Sequence, residues 1–210
     1  MRLGKILITP YYRTEDYRRN YEIDNVLFRN INSNIFEKII LFCDNNYRPE
    51  LKDDRLEFID TDRRATYLDF FNKGNEYPGK IIVISNSDIF FDNTINLSYK
   101  SIKGRKRVLA LTRYEYRYNE YGEPFYEMLM GCDSQDSWVY FSPINMKDMD
   151  IDFGLGIPGC DNRIAYELSK NHLVKNPSFS IKTYHFHDSN TRNYNPDDRL
   201  EGDYLQVHME

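Results

Sequence analysis

Three short apolar runs constrain this chain more than any other feature: Lys5–Thr9 (KILIT), Lys38–Cys43 (KIILFC) and Lys80–Ser85 (KIIVIS). Each is rich in isoleucine, too short for a helix and apolar at nearly every position. That is the pattern of a strand buried on both faces. Each run stops at polar or turn-forming residues: Pro10, Asp44-Asn45-Asn46 and Asn86. Between the runs lie helical patterns. Ile23, Leu27 and Ile31 share one face of a helix within 21–32, and Ala65–Lys73 (ATYLDFFNK) reads as a second helix closed by Gly74. Strands alternating with helices predict an α/β sheet that begins parallel.

Further strands are expected at Leu56–Ile59, Arg107–Thr112, Ser137–Phe141 and Phe179–His187, with a helix at Asp161–Lys170. The strand-rich second half suits an added antiparallel edge. Thr112–Glu127 interleaves tyrosine with arginine and glutamate, which predicts a solvated hairpin or lid. One domain over 1–190 follows, with a polar, turn-rich and loosely held tail over 191–210.

Composition narrows the function classes. The 40% hydrophobic and 29% charged residues fit one ordinary core in 210 residues and exclude a disordered chain. A net charge of −5 argues against a duplex nucleic-acid binder. It leaves room for an anionic substrate wherever a bound cation supplies local positive charge. No apolar run approaches the length of a membrane span. Cys43, Cys132 and Cys160 are odd in number and widely spaced, which speaks against a disulfide framework or a four-thiolate zinc site. Free thiols predict a reducing, cytoplasmic setting.

Ligands of open α/β sheets gather at the carboxyl ends of the strands. The residues that follow the apolar runs are therefore the candidates: Thr9, Tyr11, Tyr12 and Arg13, then Asp44, Asn86-Ser87-Asp88, Arg113, and late in the chain His185 and His187. Alternation along an extended segment turns Asn86 and Asp88 the same way. Oxygen ligands of this kind suit Mn²⁺ or Mg²⁺, although Asn-Ser-Asp also makes an ordinary turn. His185 and His187 share one strand face, as metal-binding imidazoles do; the competing role is packing or capping. Gly154–Gly159 runs into Cys160-Asp161-Asn162 and matches neither a dinucleotide nor a P-loop fingerprint. Gly156 and Gly159 would let backbone approach a substrate, and Asp161 would face the site or cap the helix. Ser134–Trp138 holds the only tryptophan, a sugar platform beside Asp136 or a core residue.

Strand–Asn86-Ser87-Asp88, then a glycine loop with Asp161, then a late histidine is an order that resembles the GT-A glycosyltransferases over residues 5–190. The resemblance implies one Rossmann-like domain with a mixed, mostly parallel central sheet flanked by helices. It implies a divalent metal, Mn²⁺ or Mg²⁺, held against a donor diphosphate at Asn86-Ser87-Asp88 and by His185 or His187. This chain has Asn86 at the first position of the family's DXD motif and Cys160 where a glutamate is common. The implied reaction is hexosyl transfer from a nucleotide sugar, a UDP-sugar favoured, to a glycan or other hydroxyl acceptor. Asp161 or Asp136 would take the acceptor proton. Tyr11 or Tyr12 would stack on the base, Asp44 would accept a base N–H, and Arg13, Arg63 and Arg113 would contact the diphosphate. Two alternatives use the same residues: a metal-dependent phosphoesterase or nucleotidyltransferase built on Asp88, His185 and His187, and a sugar-binding module without catalysis.

Overall fold

Strand β1 (Lys5–Tyr11) lies inside a seven-stranded sheet, paired in parallel with β2 (Lys38–Asp44) on one side and β4 (Ile81–Ser85) on the other. These are the three apolar runs of the sequence, and their place in the sheet explains why every face is apolar. The computed structural model describes residues 4–104, 106–128, 134–189 and 197–210. Cys132 lies outside the described residues, as do 191–196 of the expected tail.

Beyond β2 the sheet continues to β3 (Leu56–Thr61); beyond β4 it continues to β9 (Ser137–Phe141), β6 (Arg107–Leu111) and β10 (Leu173–Lys175). Of these strands only β9 is antiparallel to its neighbours. Helix α1 (Tyr17–Asn32) covers one face, with Ile23, Leu27 and Ile31 against Leu7, Ile39 and Leu41. Helices α2 (Tyr67–Asn75) and α4 (Cys160–Ser169) cover the other, where Phe70, Phe71, Ile164 and Leu168 meet Ile6, Ile8 and Ile40. The protein is thus a mixed α/β, Rossmann-like domain with a mostly parallel sheet.

A second sheet of four strands, ordered β5 (Ile89–Phe91), β11 (Thr183–His185), β7 (Tyr114–Tyr118) and β8 (Pro124–Met128), packs beside α1. The expected hairpin at Thr112–Glu127 is β7–β8. The last strand is shorter than expected, three residues rather than the 179–187 run. Three elements escape the sequence pattern: β5, directly after Asp88, the short helix α3 (Ser98–Ile102), and the edge strand β10. Helix α1 begins before residue 21 because Asp16 caps it, accepting from Arg18 N–H at 2.9 Å. Strand β1 runs past Pro10 because β4 pairs only as far as Ile8, which turns Pro10 into an edge position.

The segment 197–210 is not the loose tail expected of it. Val207 is buried in the core, and its carbonyl accepts from Asn176 Nδ2 at 2.9 Å. The polar pattern misled because three spaced apolar residues, Leu200, Leu205 and Val207, anchor an otherwise solvated stretch.

Candidate functional site

Strands β1, β2, β4 and β6 end on the same side of the sheet, and the antiparallel β9 begins there. Asp136, which precedes β9, therefore faces the same space as Tyr12, Asp44, Asn86, Asp88 and Arg113, which follow strands. Together with Gly156, Gly159, Asp161, His185 and His187 they line a cleft of about 600 Å³. That volume suits a small-molecule substrate.

Asp88, His185 and His187 form one wall. Each offers a ligand atom, and these atoms lie within 4.8 Å of one another. Asp88 Oδ2 accepts from Arg19 at 2.7 Å and from His185 Nε2 at 3.2 Å. Glu115 takes the other nitrogen of His185, Nδ1, at 2.9 Å. Burial works against charge at His185, but Asp88 and Glu115 prevail and push it up to about 9, so it is an imidazolium at neutral pH. Burial also opposes charge on Asp88, yet the His185 and Arg19 cations hold its carboxyl well below the usual range. His187 goes the other way: burial and the Arg19 charge lower it, and the ring is neutral. Asp88 Oδ1 and His187 Nε2 are buried without a hydrogen-bond partner. Orphaned buried polar atoms are costly, and a carboxylate oxygen and a neutral imidazole nitrogen are what a divalent ion would bind. The residues present therefore fit a metal ion. His185 would join them as a ligand only on shedding its proton.

The opposite wall holds two carboxyl groups. Arg113 Nη1 donates to both oxygens of Asp136, at 2.9 and 2.8 Å, and Asn86 Nδ2 donates to Asp136 Oδ1 at 2.9 Å. Asn86 thus orients Asp136 rather than standing free beside Asp88. Asp161 opens α4 behind Gly159, whose φ of +82° is a left-handed conformation that favours glycine. Ser134 Oγ donates to Asp161 Oδ2 at 3.0 Å. The helix N-terminus predicts an ionised Asp161; burial and the adjacent Asp136 outweigh it and push the carboxyl up to about 7. Asp44, at the far end of the cleft, is raised by burial, with Arg64 opposing the shift.

Several expected site residues lie elsewhere. Tyr11 is in the core with its hydroxyl on Asp24 at 2.7 Å, so Tyr12 alone of the pair reaches the cleft. Arg13 is bound to Asp24 beside it. Thr9 is buried within β1. Arg63 pairs with Asp69 at the surface, while its neighbour Arg64 lines the cleft. Trp138 is 1% exposed, with Nε1 on Tyr67 Oη at 3.2 Å, and is a core residue rather than a sugar platform. Sequence reasoning missed Arg19, Glu115, Arg64 and Arg117. Of these, Glu115 and Arg117 carried a signal, through their places in the stretch that interleaves tyrosine with arginine and glutamate.

Fold and site together define a Rossmann-like α/β domain with a polar cleft and a three-residue cluster suited to a metal ion. No protein-family model matches the chain, and no curated protein matches it. Among solved structures, it is similar to HddC from Yersinia pseudotuberculosis, with 8% identity, a TM-score of 0.43, and coverage of 72% of this chain and 89% of that one. Among the described residues, no helix is long and apolar enough to cross a membrane.

Proposed function

We propose that this protein is a metal-dependent glycosyltransferase of GT-A type, moving a sugar from a nucleotide diphosphate to a hydroxyl acceptor. The observation that carries the reading is the division of one cleft into two walls. One presents an unpartnered Asp88 Oδ1 and His187 Nε2; the other presents Asp136 and a half-buried Asp161 with a raised pKa. Transfer from a glycosyl diphosphate to a hydroxyl uses both kinds of group, a cation for the leaving diphosphate and a carboxylate for the acceptor proton.

Asp88, His187 and, once deprotonated, His185 would hold the metal. A bound divalent ion supplies charge neutralisation for the diphosphate leaving group. Arg19 and Arg113 are already paired with Asp88 and Asp136, so they do not supply that charge unaided. Arg64, which lines the cleft with Asp44, would meet a phosphate or ribose. Tyr12 offers its ring to a base, with its hydroxyl held by Arg19 at 2.9 Å. A carboxyl near 7 balances proton affinity against ionisation, as a general base at neutral pH requires. Asp161 is therefore the base assigned to the acceptor hydroxyl. Asp136, clamped by Arg113 and Asn86, orients the sugar or steadies its developing positive charge. UDP is the nucleotide favoured, on the resemblance alone.

Two measurements test the reading. Mn²⁺ together with a nucleoside diphosphate should raise the melting temperature, since ligand at about 100 times its Kd adds roughly 2.7 kcal/mol. A nucleotide sugar should then release nucleoside diphosphate. Release of inorganic phosphate or nucleoside monophosphate instead would make the protein a phosphoesterase.

A further inference from the structure

Trp138, Tyr67 and Cys160 have no part in the chemistry proposed above, yet they form one buried line that ends on Asp161. Each comes from a different element on the same face of the sheet: Trp138 from β9, Tyr67 from the first residue of α2, Cys160 from the first residue of α4. Tyr67 is fixed by its backbone N–H on Phe153 O at 2.9 Å and by edge-to-face contact with the rings of Trp138 and Phe153. Cys160 is fixed by its own backbone N–H on Ile157 O at 2.9 Å, and its sulfur accepts from the N–H of Gly156.

Chemistry sets the direction of this line. An indole N–H is a donor only, and Trp138 Nε1 donates to Tyr67 Oη at 3.2 Å. The Tyr67 hydrogen must then point elsewhere, and Cys160 Sγ takes it. The thiol in turn donates to Asp161 Oδ1 at 3.2 Å. Burial raises Tyr67 and Cys160 well above their ordinary values, so both keep their protons at neutral pH and stay donors. Asp161 therefore accepts on both oxygens, from Cys160 on Oδ1 and from Ser134 on Oδ2. The charged groups facing it are Asp136, which opposes its ionisation, and Arg113, which favours it. A donor aimed at a carboxylate favours the ionised form. A thiol is a weak donor, so it offsets only part of the push from burial and Asp136, and the carboxyl stands at about 7.

We infer that Cys160 is a positioning residue for Asp161, and that the Trp138–Tyr67–Cys160 line of donors fixes this carboxyl in place and sets its affinity for a proton. A carboxylate in place of Cys160 would add a second like charge beside Asp161; the thiol adds a donor instead. The service of Asp161 as base rests on the transferase reading; the hold of the line on its proton does not.

Titration of the Asp161 carboxyl carbon by NMR, in the full chain, tests this. Cys160→Ala removes the donor with little change of shape, and it should raise the midpoint by about 0.5 or more, which is roughly threefold tighter proton binding. Cys160→Ser restores a donor, and a stronger one, so its midpoint should return to the wild-type value or fall below it. Tyr67→Phe leaves the thiol in place but takes away the donor behind it, and should raise the midpoint by less than Cys160→Ala. Equal midpoints in wild type and Cys160→Ala, or the same rise in Cys160→Ala and Cys160→Ser, overturn the inference, because a merely space-filling thiol would give either. An unmoved midpoint in Tyr67→Phe overturns the line behind the thiol. Nucleoside diphosphate release decides the transferase reading separately, and the acid limb of its pH profile should move to higher pH in Cys160→Ala. Midpoints that move without any release keep the positioning role and remove transfer. Release with a midpoint and acid limb indifferent to Cys160 does the reverse.

Discussion

Replacing Asp161 with asparagine should stabilise the fold at neutral pH while removing activity. Burial and Asp136 raise this carboxyl from an ordinary 3.8 to about 7. A raised acid binds more protons folded than unfolded between those values, so stability falls as pH rises through that window. The penalty is absent below about pH 4 and complete above about 7. At 1.36 kcal/mol per decade, the ceiling is roughly 4 kcal/mol; relaxation around the carboxylate brings the expected gain to about 1–3 kcal/mol. Asparagine keeps the shape and a partner for Ser134 Oγ, which now donates at 3.0 Å. Urea denaturation of wild type and Asp161→Asn at pH 4 to 8, followed by circular dichroism, measures the difference. The two should coincide near pH 4 and separate as pH rises. Turnover should fall at least about 10²-fold with donor affinity nearly unchanged. A variant less stable than wild type at pH 8, or a stability gap that ignores pH, would refute the electrostatic argument. Near-normal turnover with a collapse in Asp136→Asn would pass the base role to Asp136.

Other outcomes follow from the metal wall. Asp88→Asn should abolish Mn²⁺ binding in calorimetry and also cost on the order of 3 kcal/mol, because Arg19 and His185 lose their buried counter-charge. His187→Ala should weaken Mn²⁺ binding with little loss of stability, since its ring is neutral and Nε2 is unpartnered. His185 contributes stability that is complete below pH 6.5 and lost as pH rises through about 9, so the gap in urea midpoint between wild type and His185→Asn should close over that range. Mn²⁺ affinity should climb over the same range, because a ligand nitrogen must lose its proton. Glu115→Gln should lower Mn²⁺ affinity about 10–100-fold through misorientation of His185, with unchanged affinity arguing against that orienting role.

The sheet was legible because its central strands are buried on both faces, and such strands announce themselves as unbroken apolar runs. The same property decides Trp138 between sugar platform and core residue in favour of the core. In SWVYF, between β4 and β6, no face is free to meet a sugar, and the apolar neighbours Val139 and Tyr140 already said so. Tyr11 and Tyr12 are indistinguishable when Pro10 is taken to stop β1; two further strand residues, Pro10 and Tyr11, send Tyr11 inward and leave Tyr12 at the mouth. Arg63 and Arg64 adjoin in a loop, where sequence gives no periodicity to say which one turns toward the cleft. The wall of Asp88, His185 and His187 was half visible. His185 and His187 declare a shared face through their spacing, but Arg19 meets Asp88 across 69 residues and sits on a helix whose polar positions look solvated.

One chain of charge unites these parts. From Glu22 it passes to Arg19, Asp88, His185, Glu115, Arg113 and Asp136, each in contact with the next and each opposite in sign. Buried ions contribute little stability compared with apolar packing of the same volume, so stability does not account for seven of them in line. What the line does is fix position. Glu22 also accepts from the backbone N–H of Asp188 and Ser189, which anchors the segment after His187 to α1. The chain begins and ends on carboxylates, so it carries four negative groups against three positive ones. Asp161 stands beside its negative end and is pushed toward its protonated form there. Asp88 Oδ1 and His187 Nε2 stand open at its middle. A surplus of negative charge with an unfilled ligand pair at one point and a proton-holding carboxyl at another is an arrangement that a divalent cation and an acceptor proton would complete.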